Sequence, residues 1–185
     1  MTQVRAFLAI EVPEELKLKI HKVIKEFKKI DARIKHVELE NLHLTLKFFG
    51  DIETEGLDVL SDRISNVLDD FDNFTIKIKG CGAFPNTNRI RVIWLGIEDD
   101  ELVRKLHDEL DEEFVKLGFE GDRKFSTHLT IGRMKSPKGK EEVKSAIEGF
   151  KDVEIGEVNV DRIVLKKSTL TPDGPIYEDL KTFEL

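Results

Sequence analysis

The tripeptide His-Leu-Thr occurs twice in this chain, once beginning at His43 and once at His128. Histidine has an ordinary pKa of about 6.5, so its side chain can accept or donate a proton at neutral pH. Two histidines can therefore supply a base that activates water and an acid that protonates the leaving oxygen on the opposite side of phosphorus. The hydroxyls of Thr45 and Thr130 can donate hydrogen bonds to the phosphate oxygens. The repeat predicts one active site for a cyclic phosphodiester.

Two other interpretations of the histidines are open. Both could be inert, hydrogen-bonded residues at a sheet edge, or both could be metal ligands. Neither segment has a nearby carboxylate, cysteine or further histidine at ligand spacing, so we expect no metal and no cofactor. The other three histidines have no matching partner: His21 and His107 lie in amphipathic helices and His36 in a polar connection. We expect surface or boundary roles for these three and exclude them from the site.

A strand over residues 41–50 is predicted to position the first histidine. Apolar and polar residues alternate strictly there, which is typical of a strand with one buried face. Residues two apart share a face, so the first histidine and its threonine point the same way. The buried face is predicted to hold Leu42, Leu44, Leu46 and Phe48, and the opposite face His43, Thr45 and Lys47.

The two halves of the chain share an order of elements. Residues 7–11 (FLAIE) and 94–98 (WLGIE) each precede an amphipathic helix and then a His-Leu-Thr strand. We predict an α+β protein whose duplicated strand-helix-strand units form two small antiparallel sheets facing across a central groove, with the helices outside. A pseudo-twofold axis would then bring the two histidines together. We expect residues 1–185 to form a single domain with two pseudo-symmetric lobes.

The remaining elements follow from periodicity and turn residues. Helices are predicted from Pro13 and over 54–71, 101–117 and 140–147, and strands over 4–12, 74–79, 89–98, 154–159, 161–167 and 177–185, with a loop over 80–88.

Composition limits the classes of function. The formal net charge of −7 argues against a protein that coats nucleic acid indiscriminately, although a small cationic groove could still bind one RNA end. The single cysteine, Cys81, cannot form an internal disulfide or a zinc cluster. The chain shows neither a signal peptide nor an apolar run long enough to span a membrane. We therefore expect a cytoplasmic monomer with no membrane partner.

Several further side chains are candidates for the groove. Arg133 could bind phosphate, but strict alternation places it opposite His128, so it can take part only if Gly132 ends or bulges the strand. A surface ion pair is the alternative for Arg133. Stacking on a terminal base is a candidate role for Phe48, Phe84 and Tyr177, with core packing favoured for Phe48. Groove or surface ion-pairing roles are open for Lys47, Arg89, Arg91, Lys135 and Lys166.

These motifs resemble the 2H phosphoesterases, a family named for two His-x-Thr-x motifs on paired strands. Within it, the sequence is most similar to the archaeal and bacterial RNA 2′,3′-cyclic phosphodiesterases, first described as 2′-5′ RNA ligases. Ser126 and Thr127 depart from the pattern, because many members have proline just before the second histidine. The resemblance covers residues 5–11 (RAFLAIE), 41–50 (NLHLTLKFFG), 82–85 (GAFP), 91–96 (RVIWLG), 125–133 (FSTHLTIGR) and 168–177.

The resemblance implies an activity and a substrate. The family hydrolyses a 2′,3′-cyclic phosphate at an RNA 3′ end, tRNA fragments among the candidates, to give a 2′-phosphate. It implies that His43 is the general acid at the 3′ oxygen and His128 the general base toward water, an assignment that spacing alone does not make. In the reverse direction, a 5′-hydroxyl in place of water would give a 2′-5′ linkage. The alternative function is a module that binds RNA ends without turnover.

Overall fold

The computed structural model describes residues 1–185 and contains nine β-strands and four α-helices. None of the four helices combines the length and the apolar character needed to cross a membrane. In chain order the elements are β1 Gln3–Glu11, α1 Glu14–Lys28, β2 Ile34–His36, β3 His43–Glu53, α2 Leu57–Leu68, β4 Phe74–Asn86, β5 Arg89–Glu98, α3 Glu101–Lys116, β6 His128–Met134, α4 Lys140–Gly149, β7 Glu154–Val160, β8 Arg162–Thr171 and β9 Gly174–Glu184.

The strands form two antiparallel sheets that follow one plan. The first has the order β3-β1-β8-β9, and the second has the order β2-β6-β5-β4-β7. In each sheet the strand of the repeated segment, β1 or β5, pairs with the His-Leu-Thr strand, β3 or β6. The predicted α+β class, the two antiparallel sheets and the internal duplication are confirmed.

The helices cover the outer faces of the sheets. Pro13 precedes α1, and two acidic residues in the first turn interact favourably with the positive end of the helix dipole. The buried face of α1 lies behind the second sheet, where Leu16 packs so closely on β7 that a Cβ at Gly156 would come within 2.7 Å of it. Helix α3 contacts α2 and β3 of the first sheet. The helices and both sheets share one continuous cluster of 39 buried residues.

Two elements differ from the sequence-based prediction. Strand β4 continues to Asn86, although the glycines at 80 and 82 favour a loop there. A register shift between Ile78 and Cys81, with Gly80 at a φ of 83°, carries the strand past these glycines. Strand β2 has no counterpart in the prediction, because three residues are too few to show a period.

A β-bulge in β3 changes the direction of the side chains after the first motif. Thr45 pairs with Ala9 and Lys47 pairs with Leu8, so Leu46 between them has no partner residue on β1. Leu46 and Lys47 are consequently both buried, and strict alternation fails after Leu46.

Strand β6 has the equivalent bulge. Trp94 pairs with Thr130 and Ile93 pairs with Gly132, which leaves Ile131 without a partner residue on β5. Both bulges lie three residues after the histidine. The residue five positions after each histidine, Phe48 or Arg133, therefore reaches the same face as that histidine.

Candidate active site

A groove with a volume of about 620 Å³ lies where the two sheets face each other. Strands β3 and β6 are adjacent there, and both histidines line the groove together with the threonine of each motif and Arg133. The structure thus brings together all five residues that the sequence selected, namely His43, Thr45, His128, Thr130 and Arg133.

The hydrogen bonds of His43 determine which tautomer its neutral imidazole adopts. Its Nδ1 lies 2.6 Å from the carbonyl oxygen of Asn41. A carbonyl oxygen can only accept, so Nδ1 carries the hydrogen and Nε2 has the lone pair. The hydroxyl of Thr45, 2.9 Å from Nε2, then donates to this lone pair.

His128 repeats this arrangement in the second half. Its Nδ1 donates to the carbonyl oxygen of Ser126 at 2.8 Å, again two residues before the histidine. The ring of Phe84 meets the imidazole edge-on, with 4.9 Å between the centroids. In both halves a backbone carbonyl therefore fixes the tautomer and leaves Nε2 available for proton transfer.

The two histidines differ in their surroundings. Burial is the main cause that lowers the pKa of His43 to about 4; the hydrogen bond to Asn41 opposes this shift, and the ammonium of Lys166 adds to it. Phe7 and Tyr177 pack on this imidazole with centroids at 4.9 and 5.4 Å. Burial also lowers the pKa of His128, and the Arg133 guanidinium acts in the same direction. In the unliganded protein at neutral pH, both imidazoles are therefore uncharged.

The low pKa of His43 predicts an acid-sensitive fold. A histidine whose pKa falls from 6.5 to about 4 on folding stabilises the protein fully above pH 6.5, and this contribution is lost as the pH falls toward 4. The shift corresponds to about 3 kcal/mol. Between pH 7 and pH 4 we expect wild type to lose about that much more unfolding free energy than His43→Gln, as measured by urea denaturation. Equal losses in the two proteins would contradict the assigned burial of the imidazole.

Donors for the phosphate oxygens surround the histidines. Thr45 and Thr130 supply hydroxyls, and Arg133 supplies a guanidinium that is fully charged at neutral pH. A bulge is needed to turn Arg133 to the same face as His128, and β6 has one. The bulged residue is Ile131 rather than Gly132. On the groove rim, Lys35 donates to the carbonyl oxygen of Asp173 at 2.9 Å, which links β2 to the β8–β9 hairpin.

The preferred core role of Phe48 is wrong, and several other candidates do not line the groove. Phe48, favoured for the core, is 52% exposed and lines the groove. Phe84 packs against His128 but does not line the groove. Lys166 lies beneath the groove, in ion pairs with Glu11 at 2.6 Å and Asp179 at 2.7 Å. Also absent from the groove lining are Lys47, Arg89, Arg91 and Lys135.

Lys47 lies instead in a buried polar cluster behind β3, because the bulge turns it away from the groove. Its ammonium contacts Asp111 at 2.6 Å and Asp122 at 3.1 Å. His107, expected at a surface or boundary, is only 3% exposed and bonds to Asp122 at 2.9 Å. The two aspartates and His107 are close enough to ligate a metal ion, but the ammonium of Lys47 already occupies their centre of negative charge. This cluster is better suited to hold α3 against β3.

The sequence-based selection missed one wall of the groove. His36, which we excluded, lines the groove from β2, as do Glu38 and Asn41 from the connection that follows. The opposite wall is the hairpin between β8 and β9, including Ile176 and Tyr177. The residues of the missed wall lie in a three-residue strand and in the connection after it. No periodic pattern or repeated motif therefore marks them in the sequence.

Two equivalent sheets that each bring a His-x-Thr strand to one groove are the arrangement of a 2H phosphoesterase, and comparisons with known proteins agree. The family model of the 2′-5′ RNA ligase superfamily matches residues 13–170. The chain belongs to this superfamily, which confirms the resemblance drawn from its motifs.

Named relatives and solved structures match over nearly the whole chain. Proteins named RNA 2′,3′-cyclic phosphodiesterase from Methanothermobacter thermautotrophicus and Methanocaldococcus jannaschii are 43% and 46% identical to it. The alignments cover 99% and 96% of this chain, and 100% and 98% of those proteins. The crystal structure of E. coli LigT in apo form is similar with a TM-score of 0.79 and 26% identity, covering 100% of this chain and 99% of that one. The crystal structure of a Thermus thermophilus protein gives a TM-score of 0.81 at 28% identity, covering 98% of this chain and 97% of that one.

Proposed function

We propose that this protein hydrolyses RNA 2′,3′-cyclic phosphate ends to 2′-phosphates by two-histidine acid-base catalysis. The observation that carries the proposal is the matched pair of imidazoles in one groove, each held by a carbonyl two residues earlier. The relatives named RNA 2′,3′-cyclic phosphodiesterase support the substrate, and the similar structure of E. coli LigT was obtained with 3′-AMP.

In the proposed reaction, Nε2 of His128 removes a proton from water as the water oxygen attacks phosphorus. The bond between phosphorus and the 3′ oxygen breaks, and the Nε2 proton of His43 goes to that oxygen. The products are a 3′-hydroxyl and a 2′-phosphate. Arg133, Thr45 and Thr130 stabilise the charge on the non-bridging oxygens.

This assignment requires His43 to be protonated when the substrate is bound. In the unliganded protein its pKa of about 4 makes it neutral, and the hydroxyl of Thr45 donates to Nε2. A bound phosphate anion favours the charged imidazolium, because an opposite charge nearby raises a histidine pKa. Once Nε2 carries a proton, the Thr45 hydroxyl is released to donate to the phosphate. Substrate binding thus prepares both the acid and the threonine.

The same groove accounts for two further aspects of the function. When a 5′-hydroxyl of a second RNA attacks phosphorus in place of water, the bond to the 3′ oxygen breaks and a 2′-5′ phosphodiester forms, so we propose that the same ring-opening step also allows 2′-5′ ligation. The exposed ring of Phe48 and the ring of Tyr177, which also lines the groove, offer surfaces for the terminal base. Fragments of tRNA are candidate substrates. The one cysteine, Cys81, is buried and unpaired, so the fold contains no disulfide. We propose that the protein acts as a monomer in the cytoplasm.

Product analysis tests the proposal. An oligonucleotide ending in a 2′,3′-cyclic phosphate is incubated with the protein, and phosphorus NMR distinguishes 2′-phosphate from 3′-phosphate. We expect only the 2′-phosphate, and we expect an unchanged rate with excess chelator because imidazoles and a guanidinium supply the proton transfers and the charge. A 3′-phosphate product, or complete loss of activity with chelator, would overturn the mechanism. Tight binding of the cyclic end without any product would identify a binding module instead.

A further inference from the structure

The carbonyl group that orients His43 belongs to a residue with a second contact across the groove. The peptide oxygen of Asn41 accepts the hydrogen of His43 Nδ1 at 2.6 Å. The side-chain amide of Asn41 donates to the carbonyl oxygen of Pro175 at 3.1 Å. Asn41 therefore connects the imidazole of His43 to the β8–β9 hairpin, and both Asn41 and Pro175 line the groove.

The side-chain bond of Asn41 fixes one end of the peptide unit that carries this carbonyl. Pairing of β3 with β1 begins at His43, so the peptide between Asn41 and Leu42 lies outside the sheet. A peptide unit is planar, and its orientation depends on the two Cα atoms that it joins. Leu42 is buried in the core, which holds one of these atoms. The bond from the Asn41 amide to Pro175 holds the other.

The Asn41 carbonyl selects the tautomer of His43, and the contact on the other side of the ring does not. The hydroxyl of Thr45, 2.9 Å from Nε2, can either donate or accept a hydrogen bond, so it is compatible with both neutral tautomers. The carbonyl of Asn41 is compatible only with a hydrogen on Nδ1. Burial lowers the pKa of His43 and the bond to Asn41 opposes that shift, so this carbonyl also favours the protonated imidazole that an acid requires.

His128 has an equivalent carbonyl bond that is supported from elsewhere. Its partner, Ser126, is exposed, and the side chain of Ser126 makes no hydrogen bond. The next residue, Thr127, is buried, and its hydroxyl donates to the carboxylate of Asp100 directly before α3. The peptide before His128 is thus held from α3 and not from the hairpin. A change at Asn41 should therefore leave His128 unaltered.

We propose that Asn41 is a positioning residue, whose bond to Pro175 on the hairpin holds the carbonyl that orients His43. The wall that faces the terminal base and the catalytic acid are then kept in a fixed relation. This inference rests on the proposed function for its effect on the rate, but the tautomer of His43 can be measured in the unliganded protein. The alternative is that Asn41 only ends the turn before β3.

Nitrogen NMR of the imidazoles tests the orientation of His43 directly. Two-bond proton–nitrogen correlation spectra of ¹⁵N-labelled protein at neutral pH distinguish a hydrogen on Nδ1 from one on Nε2, and His43→Gln and His128→Gln assign the signals. In wild type we expect both histidines to carry the hydrogen on Nδ1. Asn41→Leu keeps the peptide carbonyl and the size of the side chain but removes the amide. In this variant we expect a mixture of tautomers at His43 and an unchanged His128.

The rate of cyclic phosphate hydrolysis is the second measurement. A misplacement of about 1 Å at a reacting group can cost roughly a hundredfold, so we expect kcat of Asn41→Leu to fall by about ten- to a hundredfold, with a smaller change in KM. Asn41→Ser, whose hydroxyl is one bond too short to reach Pro175, should behave in the same way. Asn66→Leu makes the same replacement at an exposed position of α2 and should match wild type in both measurements.

The two measurements together can overturn the proposal. A hydrogen that stays on Nδ1 of His43 in the Asn41 variants would show that the side-chain bond does not orient the imidazole, even if kcat falls. A mixture of tautomers at His43 in wild type, an altered His128 in the Asn41 variants, or a wild-type kcat despite an altered His43 would also overturn it. Failure of wild type to hydrolyse the cyclic phosphate, with both tautomers as expected, would count against the proposed function alone.

Discussion

Replacement of His43 or His128 by alanine is expected to lower kcat for cyclic phosphate hydrolysis by about 10²- to 10⁴-fold, the usual contribution of a positioned acid or base. In the proposed reaction each imidazole makes one of the two proton transfers. KM should change less than kcat, because Thr45, Thr130 and Arg133 still line the groove and remain available to bind the phosphate. Steady-state kinetics on an oligonucleotide with a 2′,3′-cyclic phosphate end measures both constants.

The double variant makes this prediction sharper. Because the two histidines act together in the proposed reaction, removal of both should cost little more than removal of one. His21→Ala is the matched control, since His21 lies in α1 outside the groove. All variants should keep the far-ultraviolet circular dichroism of wild type. A folded His43→Ala or His128→Ala protein with full activity would exclude acid-base catalysis by the pair.

The central pair could be found from the sequence because it depends on repetition and on parity within one strand. His43 and Thr45 are two residues apart and precede the bulge, so simple alternation places them correctly. His128 and Thr130 repeat that relation in β6. The duplication then indicates that the two strands meet.

The positions beyond each bulge could not be predicted in this way. The unpaired residue at Leu46 reverses which face Lys47 and Phe48 occupy, and nothing in the sequence around Leu46 marks it. The same bulge that buries Lys47 exposes Phe48 to the groove. For Arg133 the sequence does indicate that a bulge is possible, because the preceding residue, Gly132, allows irregular pairing of the strand.

The equivalent bulges also explain how a duplicated site can become asymmetric. Each bulge presents the residue five positions after a histidine, and these residues are Phe48 in one half and Arg133 in the other. One half therefore offers an apolar surface suited to a base, and the other a cation suited to phosphate. An RNA end has the same two chemically different parts. The asymmetry suits a bound nucleotide with a defined orientation.

Loss of the Lys47 ammonium should be the most destabilising of the changes considered, although this residue does not reach the groove. In Lys47→Ala, the carboxylates of Asp111 and Asp122 lose a cation at 2.6 and 3.1 Å, and the carbonyl oxygen of Glu120 loses a donor at 2.7 Å. Removal of one partner from a buried ion pair costs about 3 to 5 kcal/mol. Asp122 is 37% exposed, so solvent screens part of the effect and we expect about 3 kcal/mol in urea denaturation at pH 7.

The dependence on pH separates this ion pair from a simple packing effect. Burial opposes a low pKa for Asp111, but the hydrogen bonds from Lys47 and from the backbone of Asp122 outweigh it and lower the pKa. A carboxylate with a lowered pKa stabilises the fold above its unfolded pKa, and this contribution is lost as the pH falls through the folded value. The deficit of Lys47→Ala relative to wild type should therefore shrink below a pH of about 4.

A surface lysine provides the matched control for this variant. Lys29, the residue that follows α1, pairs with Glu26 at 2.6 Å, and both side chains are at least half exposed. Lys29→Ala should change the unfolding free energy by less than about 1 kcal/mol at either pH. The Lys47 cluster joins β3 to α3 and to the loop before β6, which contains Ser126, the hydrogen-bond partner of His128. We therefore also expect Lys47→Ala to lower kcat where Lys29→Ala does not. A pH-independent deficit would show that Lys47 contributes through packing of its carbon chain rather than through its charge.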